Sequence, residues 1–114
     1  MNWLVLESES DLEKIIKESF LENNGVAIFK HSTRCSISSV AKSRLESSWD
    51  FDSEKLPIYY LDLISYRNIS SLIAQKFDVQ HESPQILIIK DGKCIYNESH
   101  MSISVKDLHQ KLEF

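Results

Sequence analysis

The chain is poor in the residues that most often mark a protein's class. It has two cysteines, two prolines and two glycines in 114 residues. Two cysteines do not make a disulfide framework. None of the four histidines, His31, His81, His100 and His109, pairs with a cysteine at zinc-ligand spacing, so no metal site is expected. No apolar run approaches the roughly 20 residues that span a bilayer, and no membrane partner is expected. The start, Met1-Asn2-Trp3-Leu4-Val5-Leu6-Glu7, lacks the basic flank and long apolar core of a secretory signal. With so few cysteines, this points to a reducing cytoplasm, where the sequons Asn68-Ile69-Ser70 and Asn97-Glu98-Ser99 carry no meaning. A net charge of −4 without a basic cluster argues against nucleic acid. Repeats, linkers and low-complexity segments are absent, so residues 1–114 read as one domain, long enough to bury a core.

What is present alternates. Trp3–Leu6 reads as a short strand. Ser10-Asp11-Leu12-Glu13 has capping-box spacing, and Leu12, Ile15, Ile16 and Phe20 form a helical stripe stopped by Asn23-Asn24-Gly25. Val26–Phe29 is a second strand. Ile37, Val40, Ala41, Leu45 and Trp49 follow at helical spacing. Pro57–Ile64, rich in β-branched and aromatic residues, reads as a buried strand, and Ile69, Leu72, Ile73 and Phe77 as a third helix. Gln85–Lys90 and Lys93–Asn97 flank Asp91-Gly92, a strong hairpin signal. Ser104 caps a last helix bearing Val105, Leu108 and Leu112. The order β-α-β-α-β-α-β-β-α predicts an α/β fold with parallel βαβ units and one antiparallel pair. A central four-stranded mixed sheet is expected, covered by helices on both faces, with Trp3–Leu6 as a candidate fifth strand at the edge.

The stretch Phe29-Lys30-His31-Ser32-Thr33-Arg34-Cys35-Ser36-Ile37-Ser38 joins the second strand to the second helix. It puts Cys35 at or just before a first helical turn, where unpaired amides and the helix dipole favour thiolate over thiol. Arg34 and His31 are near enough in sequence to add to this. Many free cysteines are merely small buried hydrophobes, but a polar loop is a poor place to bury one. A dithiol oxidoreductase carries a second cysteine at the fourth place of Cys-x-x-Cys; here that place is Ser38, which can donate a hydrogen bond but cannot close a disulfide. A redox centre at Cys35 would be a monothiol one. Cys94 lies in the return strand and reads as packing. A protease-like pairing of Cys35 with His81 has no oxyanion signal beside it.

The element order, the cysteine after the second strand and Ser83-Pro84 just before the hairpin resemble the thioredoxin fold over essentially the whole chain. Ser32-Thr33-Arg34-Cys35-x-Ile37-Ser38, with Ser83-Pro84-Gln85, is similar to the bacilliredoxins of the YtxJ type, monothiol proteins of the bacillithiol system. The resemblance implies that Cys35 takes bacillithiol, a cysteinyl-glucosaminyl-malate thiol, from S-bacillithiolated client proteins. Bacillithiol would be a co-substrate rather than a bound cofactor, and a further low-molecular-weight thiol or a reductase would restore Cys35. It implies that Ser83 and a cis Pro84 shape the groove beside the sulfur, that Ser38 neighbours it from the helix side, and that Arg34 and Ser36 support it. His31 and Thr33 become candidate contacts to the thiol substrate, with His31 and Arg34 meeting the malate carboxylates by charge. Two departures stand out. Thioredoxins carry a buried carboxylate six residues before the cysteine, where this chain has Phe29. Redox relatives often have proline where it has Ser36. A non-catalytic thioredoxin-like binding module and a glutaredoxin-like enzyme using another thiol are the alternatives.

Overall fold

The computed structural model describes residues 1–21 and 24–112. Asn23, read above as part of the stop to the first helix, lies outside the described residues. These comprise strands β1 (Trp3–Val5), β2 (Val26–His31), β3 (Ile58–Asp62), β4 (Gln85–Lys90) and β5 (Lys93–Ser99), and helices α1 (Glu9–Leu21), α2 (Ser36–Ser48), α3 (Arg67–Phe77) and α4 (Val105–Leu112). A 3₁₀ turn, His100–Ser102, precedes α4 and had no signal in the sequence.

The strands form one sheet in the order β1-β3-β2-β4-β5. β3 pairs in parallel with both β1 and β2, while β4 is antiparallel to β2 and to β5. The edge strand is thus formed, and the sheet has five strands. The chain passes β3's place to go from β1 to β2, then returns from β2 to β3. Right-handed crossovers made in opposite directions put α1 and α2 on opposite faces. The packing bears this out. Val26 and Ile28 of β2 meet Leu12 and Ile15 of α1 and Ile69, Ile73 and Phe77 of α3. Ala27 and Phe29 meet Ala41 and Leu45 of α2 and Val105 and Leu108 of α4. Because both faces of the sheet are covered, β2 is a continuous buried run rather than an alternating one.

At the hairpin, Asp91 and Gly92 have φ of 52° and 76°. Positive φ at both central residues is the type I′ turn, whose twist suits paired strands. Gly25, with φ of 88°, ends the approach to β2; a Cβ there would stand 2.5 Å from the carbonyl oxygen of Ile89. Ser104 caps α4 as expected, its Oγ accepting from the Asp107 amide at 3.1 Å.

Three expectations are corrected. The cap of α1 is Ser8, not Ser10: Ser8 Oγ accepts from the Asp11 amide at 3.1 Å and Asp11 Oδ2 from the Glu7 amide at 3.0 Å. Both alignments satisfy the spacing rule, and the one at Ser8 is the one in which hydroxyl and carboxylate each take up a backbone amide. Phe20 is 61% exposed, because the buried face of α1 runs Leu12, Ile15, Ser19. Ser19 earns its place by bonding the hairpin, its Oγ accepting from the Gly92 amide at 3.0 Å. On α2, Ile37 and Val40 are exposed, while Ser38, Ala41 and Leu45 face inward. A buried serine shifted the phase of each helix away from its apolar residues.

Candidate active site

β2 ends in two polar residues, and alternation sends them to opposite faces. Both stay buried: Lys30 continues the Val26 and Ile28 side, His31 the Ala27 and Phe29 side. The chain then turns. The Cys35 amide donates to the Ser32 carbonyl at 3.2 Å, closing a four-residue turn with Thr33 and Arg34 exposed at its tip. Cys35 is the N-cap of α2, with extended backbone (φ −112°, ψ 120°) and a side chain that makes no capping bond. Its carbonyl accepts from the Ser39 amide at 3.1 Å. The half-buried thiol therefore stands where the first-turn amides of a thirteen-residue helix are open. Ser36, next along, is exposed.

Ser38 is fully buried, and its hydroxyl lies 3.0 Å from the Ser32 amide, which donates to it, and 2.7 Å from His31 Nδ1. Burial, and then the charge of Lys42, hold His31 below the usual histidine value, so the ring is neutral at pH 7. The hydroxyl hydrogen is satisfied if Nδ1 is bare and accepts it, which leaves the ring proton on Nε2. Ser38 thus clamps the turn to the helix. Its hydrogen goes to His31, a different partner from the sulfur expected of it. The idea that His31 meets carboxylates by charge also gives way: the ring is neutral and 5% exposed. It is wedged between Phe29 and Tyr60, with centroids at 6.0 and 5.5 Å. Arg34, exposed at the turn, remains in place for such a role.

Ser83-Pro84 is a cis peptide, as the resemblance implied. The register pairs Lys30 with Gln85, so this peptide lies at the end of the sheet from which the Cys35 turn leaves. The His100 amide donates to the Pro84 carbonyl at 3.0 Å and ties the 3₁₀ turn to it. Ser83 Oγ is buried with no hydrogen-bond partner among the described residues.

Cys94 is elsewhere. It pairs with Ile89, which pairs with Val26, the first residue of β2. The length of β2 therefore separates it from the turn, about 16 Å at ~3.3 Å per residue. A disulfide needs Cα atoms within about 7 Å. Its thiol donates to the Tyr96 carbonyl at 3.2 Å, and burial pushes it up from its ordinary value. Phe29, in the carboxylate's place, is fully buried and packs on Trp3, so no acid stands there. Among the described residues no group of three or more His, Cys, Asp or Glu could hold a metal ion, and no helix is long and apolar enough to cross a membrane.

Sequence reasoning missed a second polar cluster, behind the sheet. Lys30 Nζ lies 3.2 Å from His81 Nδ1 and 3.4 Å from the Ser70 carbonyl. The one available sign was that lysine and histidine close an apolar strand, where alternation must bury one on each face.

A βαβ unit followed by a hairpin, with a cysteine at the helix N-cap and a cis proline at the neighbouring strand end, defines a thioredoxin-fold protein with one thiol at the start of its second helix. A solved structure described as a candidate oxidoreductase with a thioredoxin fold is 32% identical, covers 95% of this chain and 91% of its own, and superposes with a TM-score of 0.78. The Malassezia sympodialis thioredoxin (15% identity, coverage 98% and 89%, TM-score 0.73) and the Fasciola hepatica thioredoxin (20%, 96% and 96%, 0.70) share the fold. The model of the monothiol bacilliredoxin BrxC family matches residues 5–108, and the chain belongs to that family. It is a thioredoxin-like oxidoreductase by family.

Proposed function

We propose that this protein removes bacillithiol from S-bacillithiolated proteins through Cys35 alone. The observation that carries the reading is the placing of one half-buried thiol at the open N-cap of α2, with the second cysteine a strand's length away. The Cys35 thiolate attacks the bacillithiol sulfur of the mixed disulfide. The Cys35–bacillithiol bond forms, the old S–S bond breaks, and the electron pair leaves with the client sulfur as its thiolate. A second thiolate, from a low-molecular-weight thiol or a reductase, then attacks the Cys35-bound bacillithiol and releases Cys35. No net oxidant or reductant is consumed in the first step.

The chain's own residues hold this geometry. The Ser32–Cys35 turn, clamped by Ser38 and His31, keeps the sulfur at the helix end. Access for a protein disulfide, on which exchange rates depend, comes from the exposed flanks Thr33, Arg34 and Ser36. Ser83 and Pro84 would border the client's chain, and Arg34 would meet an acidic group of the thiol. A reducing compartment suits a thiol that must be regenerated.

The test follows release of a client thiol from its bacillithiol mixed disulfide. Wild type and Cys94→Ser should release it at similar rates, and Cys35→Ser should be inactive. If Cys94→Ser is as inactive as Cys35→Ser, the two cysteines act as a pair. If wild type cannot accept bacillithiol, the domain is a binding module or serves another thiol.

A further inference from the structure

On the α3 face of the sheet, opposite α2, a cleft of about 230 Å³ is lined by Leu63, Arg67, Ser70, Ser71 and His81. No step of thiol exchange uses it. Lys30 stands behind its wall, fully buried, and touches two of the lining residues. Lysine has no acceptor, so His81 Nδ1 accepts from it at 3.2 Å, sharing its lone pair with the Ser70 hydroxyl 3.1 Å away, and the ring's remaining proton sits on Nε2. Of the three Nζ hydrogens, two have partners. Burial pulls Lys30 down to about 8, which still leaves it mostly protonated at pH 7.

The rim is cationic too. Arg67, Ser70 and Ser71 sit at i, i+3 and i+4 on the first turn of α3, so they share one face. Arg67 is exposed and makes no ion pair among the described residues. The helix N-cap, Tyr66, offers no side-chain cap to the open amides. Among the described residues no carboxylate lines the cleft, and the carboxylate that acts on His81 is Glu82, its chain neighbour. A lysine at the back, an unpaired arginine at the front, and hydroxyls and a neutral imidazole between them form a donor-rich hollow with two separated positive charges.

We propose that this cleft binds a short dicarboxylate, one carboxylate against the His81 Nε2 proton in the field of Lys30 and the other on Arg67. The planar guanidinium fork matches a carboxylate, and two cations some way apart favour two anionic groups over one. The aliphatic wall of Leu63 accommodates the carbon linker.

The probe is succinate, added to the full chain at pH 7 and followed by amide and ring NMR shifts. Saturable shifts at Leu63, Arg67, Ser71 and His81 are expected. Acetate should bind at least about tenfold more weakly, and Arg67→Ala should weaken succinate by about tenfold or more, the effect of losing one charge-assisted pair. Ser71→Ala, which keeps every cation, should weaken it less. Arg67→Ala should leave the rate of Cys35 alkylation unchanged, which separates a lost binding group from a damaged fold. Absence of saturable shifts, undiminished binding in Arg67→Ala, or inorganic phosphate binding more tightly than succinate would each overturn the assignment.

Discussion

Ser38 stands where a dithiol enzyme would carry its second sulfur, and its work is to satisfy two buried groups. Changing it to alanine orphans the Ser32 amide and His31 Nδ1, which lie among buried residues. Each unsatisfied buried group costs about 1–3 kcal/mol, so Ser38→Ala should lose about that much or more in a denaturant titration; a change near zero would mean that the clamp is dispensable. The histidines supply a pH prediction. His31 and His81 are both lowered below the usual 6.5, by burial first and then by Lys42 and Lys30 respectively. Between their folded values and 6.5 the unfolded chain binds more protons, so their contribution to stability is complete above 6.5 and is lost as the pH falls through the folded values. Ring-proton NMR should show these two rings titrating below 6.5; titration above 6.5 would contradict it. Lys30 has the same sign in a higher window. Lowered from 10.5 to about 8, it makes the wild type gain stability relative to Lys30→Met as pH rises from 8 to 10.5. The place of Cys35 at the start of a helix was legible from the polar loop and the apolar period that follows it. The His31–Ser38 bond was not, because nothing in a sequence shows that a strand's last residue and a helix's third share one side of a sheet.

The helices were found by their apolar period, and their phase was misread wherever a serine takes a core position, as Ser19 does in α1 and Ser38 in α2. Each of these serines is bonded to a neighbouring element, which period-counting does not see. α2 also carries a cost at its first residue. Serine is a far better N-cap than a side chain that forms no capping bond, and Cys35 forms none. Cys35→Ser should therefore be inactive yet more stable, by about 0.5–1 kcal/mol, visible as a rise of a few degrees in Tm. A fall in Tm would show that the sulfur packs better than its half-exposure suggests. At the entry to β2 the direction is reversed. Gly25→Ala combines positive φ with a Cβ pressed on the Ile89 carbonyl, and should destabilise by more than about 1 kcal/mol.

At the scale of the whole molecule, the alternation of strands and helices and the Asp91-Gly92 turn were enough to imply the sheet, and handedness then placed α1 and α2 on opposite faces. That arrangement fixes where the two cysteines stand. It sets the Cys35 turn and the cis Ser83-Pro84 peptide at one end of the sheet and Cys94 toward the other. Lys30 and its cluster escaped the sequence reading because a charged residue at a strand end ordinarily faces solvent, and only the packing of α3 and His81 covers this one. The most direct test of a single-thiol mechanism is intact-protein mass spectrometry after exposure to a bacillithiol mixed disulfide, with peptide mapping of the adduct. One bacillithiol on Cys35, none on Cys94, and no intramolecular disulfide is the predicted result; an adduct on Cys94, or a Cys35–Cys94 bond, would contradict it.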